Sequence, residues 1–251
     1  MKRLLTLLAL VAYTLMADAI ELTGSTIIVD RKQPALVSKA AGLLAGDIEK
    51  VTGYCPVISD RISRNGTNII IKVDSSIIDG WERFAIHTDG NTLTITGSDA
   101  RGAAYGALHV SEKIGVSPWY WFADVPVCHK QEIDYTEDFE SQSPSVKYRG
   151  IFINDEDWGM FTWASRNYEK DLADIGPKTY DRICELVLRL KGNMIAPAMH
   201  DCTGPFYSHP ESQKVAAEYG IMITTSHCEP LLFNNASKLE WDKDRDGECH
   251  T

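Results

Sequence analysis

The sequence has no Cys-x-x-Cys pair, no tandem repeat and no low-complexity tract, and beyond its first residues it has no long apolar run. Each absence excludes something. The six cysteines, Cys55, Cys128, Cys184, Cys202, Cys228 and Cys249, are irregularly spaced. That spacing disfavours a structural zinc site, and several of them are expected as plain buried thiols. Basic residues are in deficit: 25 Lys and Arg face 35 Asp and Glu, for a formal net charge of −10. An acidic chain gains nothing from releasing phosphate counterions, so nucleic acid is not an expected partner. After residue 16 nothing approaches the roughly 20 consecutive apolar residues that cross a bilayer.

What is present begins with an export pattern. Lys2 and Arg3 form a positive start, residues 4–16 are apolar, and Ala17-Asp18-Ala19 offers small residues for cleavage. Residues 1–19 therefore read as a secretory signal peptide, and the mature chain is expected in the periplasm or outside the cell. A single membrane anchor is the alternative, and the apolar run is short for one. The 251 residues, 44% of them hydrophobic, are enough for one or two domains with sizeable cores.

Residues 20–143 read as a small α/β domain. Residues 26–29 are a β-rich run. Residues 34–51 carry helical spacing, with Ala35, Leu36, Ala40, Leu43, Leu44 and Ile48 on one side, Pro34 in the first turn and Gly53 as the stop. Residues 68–73 form a β-branched strand. Residues 84–87 and 92–96 flank Asp89-Gly90-Asn91, a hairpin signal. Ser98-Asp99 caps a helix over 100–114 that stops at Gly115. The pattern predicts a mixed sheet carrying two helices, an α+β sandwich. Residues 132–145, polar and acidic, read as a linker or an exposed crossing.

A second unit spans residues 144–251. Residues 148–153 read as a buried strand. Residues 179–191 read as a helix with Ile183, Leu186, Val187 and Leu190 on one face. Residues 194–196 are a strand, 212–219 a helix closed by Gly220, and 221–225 a third strand. Strand, helix, strand, helix, strand at this pitch predicts a parallel sheet. If it is the start of a (β/α)8 TIM barrel, about three of eight strands are present, and such a barrel needs about 250 residues of its own. The second unit is therefore expected to be a truncated, partial barrel.

Polar clusters follow all three strands: Asn154-Asp155-Glu156-Asp157-Trp158, Ala198-Met199-His200-Asp201 and Ser226-His227-Cys228-Glu229-Pro230. Parallel α/β folds bind ligands at the carboxyl ends of their strands. The clusters supply carboxylates for acid and base work and imidazoles for holding a polar, anionic or polyhydroxylated ligand. Trp158, Trp163, Phe206 and Tyr207 offer faces for sugars. Each has a bland counterpart. Asp155 and Glu156 also suit a helix N-terminus. His200 also fits a satisfied core histidine. His227 and Glu229 would share one side of an extended segment, but no third metal ligand stands at a standard spacing. Nothing marks Cys228 as an activated nucleophile. Trp119-Tyr120-Trp121-Phe122 fits interface packing better than ligand binding.

Several runs resemble glycoside hydrolase family 115. They are Ser98-Asp99-Ala100-Arg101-Gly102-Ala103-Ala104-Tyr105-Gly106, Gly115-Val116-Ser117-Pro118-Trp119-Tyr120-Trp121-Phe122-Ala123-Asp124-Val125-Pro126 and Arg149-Gly150-Ile151-Phe152-Ile153-Asn154-Asp155-Glu156. Lys191-Gly192-Asn193, Ala196-Pro197-Ala198-Met199, Glu218-Tyr219-Gly220-Ile221 and Thr225-Ser226-His227-Cys228-Glu229-Pro230 complete the match. The resemblance implies a small α/β domain followed by a (β/α)8 barrel. It also implies an inverting xylan α-1,2-glucuronidase that removes (4-O-methyl)glucuronic acid, with no cofactor and no metal in the chemistry. Carried onto this chain, it implies Glu229, Glu156 and Asp155 as candidate catalytic carboxylates and Asn154, His200, His227 and Trp158 as the pocket. Many members carry tryptophan where His200 stands, which points to a different subgroup. The implied partner is a glucuronoxylan-like polysaccharide or oligosaccharide, with a homodimer open to the full-length form. Two alternatives stand beside this one: a non-catalytic glycan-binding or vestigial product, and a metal-dependent hydrolase built on His200, His227 and Glu229.

Overall fold

A computed structural model describes residues 19–76, 78–154, 156–198, 200, 202–225, 245 and 247, with the backbone alone for Glu156. The signal-peptide reading thus falls almost wholly outside the described residues. Among the described residues no helix is long and apolar enough to cross a membrane. The fold is mixed α/β with three sheets among these residues, and it divides into two compact units between Pro144 and Ser145.

In the first unit the strands are β1 (Ile20–Glu21), β2 (Thr26–Ile28), β3 (Val57–Ser59), β4 (Asn68–Val73), β5 (Phe84–Asp89) and β6 (Thr92–Gly97). Two short strands follow, β7 (Asp134–Tyr135) and β8 (Phe139–Glu140). Six of these make one sheet in the order β3-β2-β4-β6-β5-β8. The first four are mutually parallel, and β5 reverses through the Asp-Gly turn to pair antiparallel with β6. Register follows the apolar alternation. Ile27 lies opposite Ile69, Ile69 opposite Leu93, and Ile71 and Ile86 opposite Ile95. All six are buried on one face.

Helices α1 (Ala35–Thr52) and α2 (Ala100–Ile114) pack on each other and on this sheet. Gly53 closes α1 in the left-handed conformation (φ 78°) and donates its N–H to the Glu49 carbonyl. The buried stripe of α1 is Leu36, Val37, Ala40, Ala41, Leu44, Ala45, Ile48 and Val51. Ala35 turns out to be exposed and Leu43 half-exposed, a rotation of the stripe away from the expected one. The Asp99 carboxylate accepts from Gly102 N at 2.8 Å and caps α2. A Cβ at Gly102 would sit 2.1 Å from the Arg83 carbonyl oxygen, and one at Gly106 would sit 2.6 Å from Ile95 Cγ2. The glycines of this run let the α2 backbone lie directly on the sheet.

The expectation of a linker over 132–145 needs correction. β7 pairs antiparallel with β1, and β8 pairs with β5, extending the main sheet. Ile133 and Tyr135 are buried. A few apolar side chains spaced by two suffice to seat a short edge strand among acidic neighbours.

The second unit holds β9 (Gly150–Phe152), β10 (Met194–Ala196) and β11 (Met222–Ile223) in a parallel sheet ordered β11-β10-β9. A short helix α3 (Phe161–Trp163) lies between two π-helical turns, Glu156–Met160 and Ala164–Tyr168. Helices α4 (Pro177–Arg189) and α5 (Pro210–Glu218) pack side by side. Ile183, Leu186 and Val187 are buried on α4, whereas Leu190 caps it and is exposed. The strand expected to be buried at 148–153 is not. Ile151 and Phe152 are 42% and 47% exposed, and only Ile153 beyond them is buried. Apolar composition marked a strand there without saying which faces are covered.

The amino ends of these strands are tied by one arginine. Arg149 donates through Nε and Nη2 to the Lys191 carbonyl at 3.0 and 2.7 Å. It also donates through Nη1 to the Val146 carbonyl at 2.8 Å. Asn193 Oδ1 accepts from Arg149 N at 2.9 Å, and its Nδ2 donates to the Lys147 carbonyl at 2.7 Å. The Arg149-Gly150 and Lys191-Gly192-Asn193 runs are therefore a structural clamp at the end of the sheet away from the polar clusters.

Candidate functional site

Because β9, β10 and β11 are parallel, their carboxyl ends share one edge, and every segment leaving that edge carries polar side chains. Ile153 N donates to the Ala196 carbonyl at 2.9 Å and Thr224 N to the Ile195 carbonyl at 2.9 Å, so pairing persists to the edge itself. Asn154 lies just beyond and is exposed. Asp155, His227, Cys228 and Glu229 lie outside the described residues, as does the side chain of Glu156.

The backbone leaves β9 directly into the Glu156–Met160 π turn. A π turn holds an extra residue per turn and re-aims the side chains it carries, and such turns cluster at functional sites. Gly159 within it lowers the cost of leaving the α form. Trp158 projects from this turn 87% exposed. Asp157, on the same turn, reaches across to the segment after β10, where its Oδ2 contacts His200 Nδ1. The His200 side chain is 56% exposed and that of Asp157 41%. The reading of His200 as a core histidine is thereby overturned: its partner is a solvent-facing carboxylate. Cys202, half-buried, brings its sulfur alongside. Ligand atoms of Asp157, His200 and Cys202 all lie within 4.8 Å of one another.

The aromatic candidates separate by burial. Phe206 is buried edge-on against Tyr180, with centroids 4.8 Å apart, and offers no face to a ligand. Trp163 is stacked on Tyr168 at 5.0 Å. Trp158 and Tyr207 are the two with open rings. In the first unit Trp121 and Phe122 meet edge-on at 4.8 Å, within a turn.

Four polar arrangements escaped the sequence reading. The buried Glu169 carboxylate accepts from Gly176 N, Lys178 N and Thr179 N, each at 2.9 Å, and from Thr179 Oγ1 at 2.5 Å. This places a negative charge on the N-terminus of α4, where amide donors and the helix dipole favour it. Asp174 accepts from Ile175 N at 2.8 Å and Gly204 N at 3.0 Å, and its Oδ2 lies 2.8 Å from His209 Nε2, tying the loops that lead into α4 and α5. A cavity of about 280 Å³ opens beside these groups, lined by Glu169, Asp171, Lys178, His209 and Glu211 among others. On α4, Glu185 is buried between Arg182 and Arg189, each at 2.9 Å. Nearby, the Tyr219 hydroxyl donates to Asp181 Oδ1 at 3.0 Å. Burial, then the charge of Asp181, pushes the Tyr219 phenol far above its ordinary range. All are structural ties. The short sequence separations inside the Glu169 cap were the only available signal.

Comparisons with known proteins bear on both units. Glycosyl hydrolase family 115 matches residues 141–250. A solved family GH115 4-O-methyl-alpha-glucuronidase with specificity for decorated arabinogalactans is 34% identical, with a TM-score of 0.79. The match covers 90% of this chain and 32% of that one, so the chain spans about a third of the relative's length. A Streptomyces plicatus beta-hexosaminidase is 15% identical, over 82% of this chain and 42% of its own, with a TM-score of 0.54. A Flavobacterium johnsoniae chitobiase is 14% identical, over 87% and 34%, also with a TM-score of 0.54. These two likenesses concern the fold alone. No curated protein matches the chain. The family's match to the second unit, and the identity that runs through both units, lead to one assignment: the chain belongs to glycoside hydrolase family 115.

Proposed function

We propose that this chain supplies the N-terminal domain, residues 20–143, and the opening of a (β/α)8 barrel, residues 144–251, of an exported α-glucuronidase. In this reading β9, β10 and β11 are the first three barrel strands, and the shared carboxyl edge is the first wall of a uronic acid pocket. The reaction is hydrolysis of an α-1,2-linked (4-O-methyl)glucuronic acid from a xylan-like backbone with inversion. An inverting site holds two carboxyl groups about 6.5–9.5 Å apart with a water between them. Glu229 is assigned as general acid or water-positioning group, and Asp155 or Glu156 as the second carboxyl. Asn154, His200 and His227 hydrogen-bond the sugar, and Trp158 stacks on it. The parallel pairing of β9, β10 and β11, whose carboxyl ends share one edge, supports assigning the acid segment after β9 and the His-x-Glu segment after β11 to one glycosidic bond.

The observation that carries this proposal is the gathering of Asn154, Asp157, Trp158 and His200 at one strand edge in a chain 34% identical to a 4-O-methyl-alpha-glucuronidase. That relative is specific for decorated arabinogalactans, so the polymer is tested as well as the sugar. The protein purified from its source is assayed on glucuronoxylan and on glucuronate-decorated arabinogalactan, with the anomer of the first-released acid read by NMR. Release of the β-anomer from either polymer is the expected result. Retention of configuration overturns the inverting assignment. Binding without release of any acid overturns the enzyme assignment in favour of a glycan-binding role.

A further inference from the structure

We propose that Asp157, His200 and Cys202 form a zinc-binding site at the carboxyl edge of the β9-β10-β11 sheet. The grounds are the donor chemistry and its convergence. One carboxylate oxygen, one imidazole nitrogen and one thiol sulfur come within 4.8 Å of one another. They arrive from two segments, the π turn after β9 and the turn after β10. Zinc accepts O, N and S donors at about 2.0–2.3 Å in tetrahedral geometry, which puts donor atoms between three and four ångströms apart. Asp157 and His200 touch each other directly and the Cys202 sulfur lies within reach of both, so an ion entering between the three replaces the carboxylate–imidazole contact and parts that pair. A sulfur donor makes zinc a better fit than magnesium or calcium, which take oxygen ligands.

Three protein ligands leave a fourth position for water or another oxygen ligand, the arrangement of an open rather than a structural zinc site. The exposure of Asp157 and His200 leaves that position facing solvent. The ligand class is therefore water or a small anion. This set differs from the His227–Glu229 pairing, and the inference does not depend on the glycosidase reading. Metal binding is measured without any substrate.

The test uses the untagged chain, stripped with a chelator and titrated with Zn²⁺ by calorimetry, then with Co²⁺ followed by absorption. The expected result is one zinc bound, with affinity at least about tenfold weaker in each of Cys202→Ser, His200→Ala and Asp157→Asn, since each removes a ligand. Cobalt should show a thiolate-to-metal charge-transfer band that Cys202→Ser abolishes. His209→Ala, whose imidazole lies against Asp174 instead, should bind zinc as the parent does. Thermal unfolding of the metal-free variants checks that they are folded, and zinc should raise Tm only where it binds. Absence of zinc binding overturns the proposal. So does zinc binding that survives all three ligand substitutions, which would place the metal elsewhere in the chain.

Discussion

Replacing Glu169 with glutamine should destabilise the second unit by about 2–3 kcal/mol, although no side-chain volume changes. Oε2 of the carboxylate accepts from Gly176 N, Thr179 N and Thr179 Oγ1, and Oε1 accepts from Lys178 N. An amide keeps one oxygen and converts the other to a donor. If the oxygen stays with the three-bond cluster, Lys178 N faces an NH₂ group and loses its acceptor. An unsatisfied buried donor costs about 1–3 kcal/mol, the low end applying here because the Lys178 site is partly open. Loss of the charge at a helix N-terminus adds about 0.3–2 kcal/mol, and the buried position favours the upper half. Glu169→Ala strips all four donors and should cost more, on the order of 4 kcal/mol. Asp171→Asn serves as the control, since Asp171 is exposed and should shift stability by less than about 0.5 kcal/mol. Urea unfolding followed by far-UV circular dichroism reads all three as midpoint shifts at constant m. If Glu169→Gln unfolds within about 0.5 kcal/mol of the parent, the carboxylate is solvated and the helix-cap account is wrong.

Further outcomes follow from single contacts. Gly106→Ala should destabilise the first unit by about 1–3 kcal/mol, because its methyl meets Ile95 Cγ2 at 2.6 Å against the sheet. Gly42→Ala, on the exposed side of α1 with nothing within 4 Å, should stabilise by about 0.5–1 kcal/mol, and thermal melts of the pair should move in opposite directions. The raised phenol of Tyr219 stabilises the fold fully below the ordinary tyrosine pKa of about 10, and this contribution is lost as pH rises above it. Tyr219→Phe should therefore flatten the alkaline limb of the stability profile while lowering the neutral plateau by about 1 kcal/mol for the lost hydrogen bond. Trp158→Ala should leave Tm unchanged within error, given its exposure, and weaken glycan binding in affinity electrophoresis on glucuronoxylan. A drop in Tm would mean the ring is a structural element.

Local signals carried the first unit far. Asp99 three residues before Gly102, glycine after the last turn of α1 and of α2, and Asp-Gly between two β-branched runs are short-range chemistry, and the caps and hairpin formed as read. They act through one or two backbone groups that neighbouring residues alone can satisfy. Burial is a different matter. The run around Ile151 and Phe152 has strand composition, yet the elements packed beside it leave both half exposed. Phe206 and Tyr207 are adjacent aromatics, one in the core and one in solvent. Residues 132–145 looked like linker because their partners, β1 and β5, are far away in sequence.

The site divides in the same way. That acids and histidines follow each strand of the second unit is written in the order of residues, because parallel pairing sends every such segment to one edge. Which of them meet is not. Asp157, one of four consecutive polar residues, becomes the partner of His200 only because a π turn rotates it toward the segment after β10. The same holds for Glu169 on the amides of α4 and for Arg149 on the Lys191 carbonyl. The sequence by itself determined the elements, their caps and the edge that carries polar chemistry, since these rest on interactions within a few residues. Only the tertiary structure decided the pairs, because a carboxylate, an imidazole and a thiol from two separate turns become one site when the β-sheet register between those turns sets their distance.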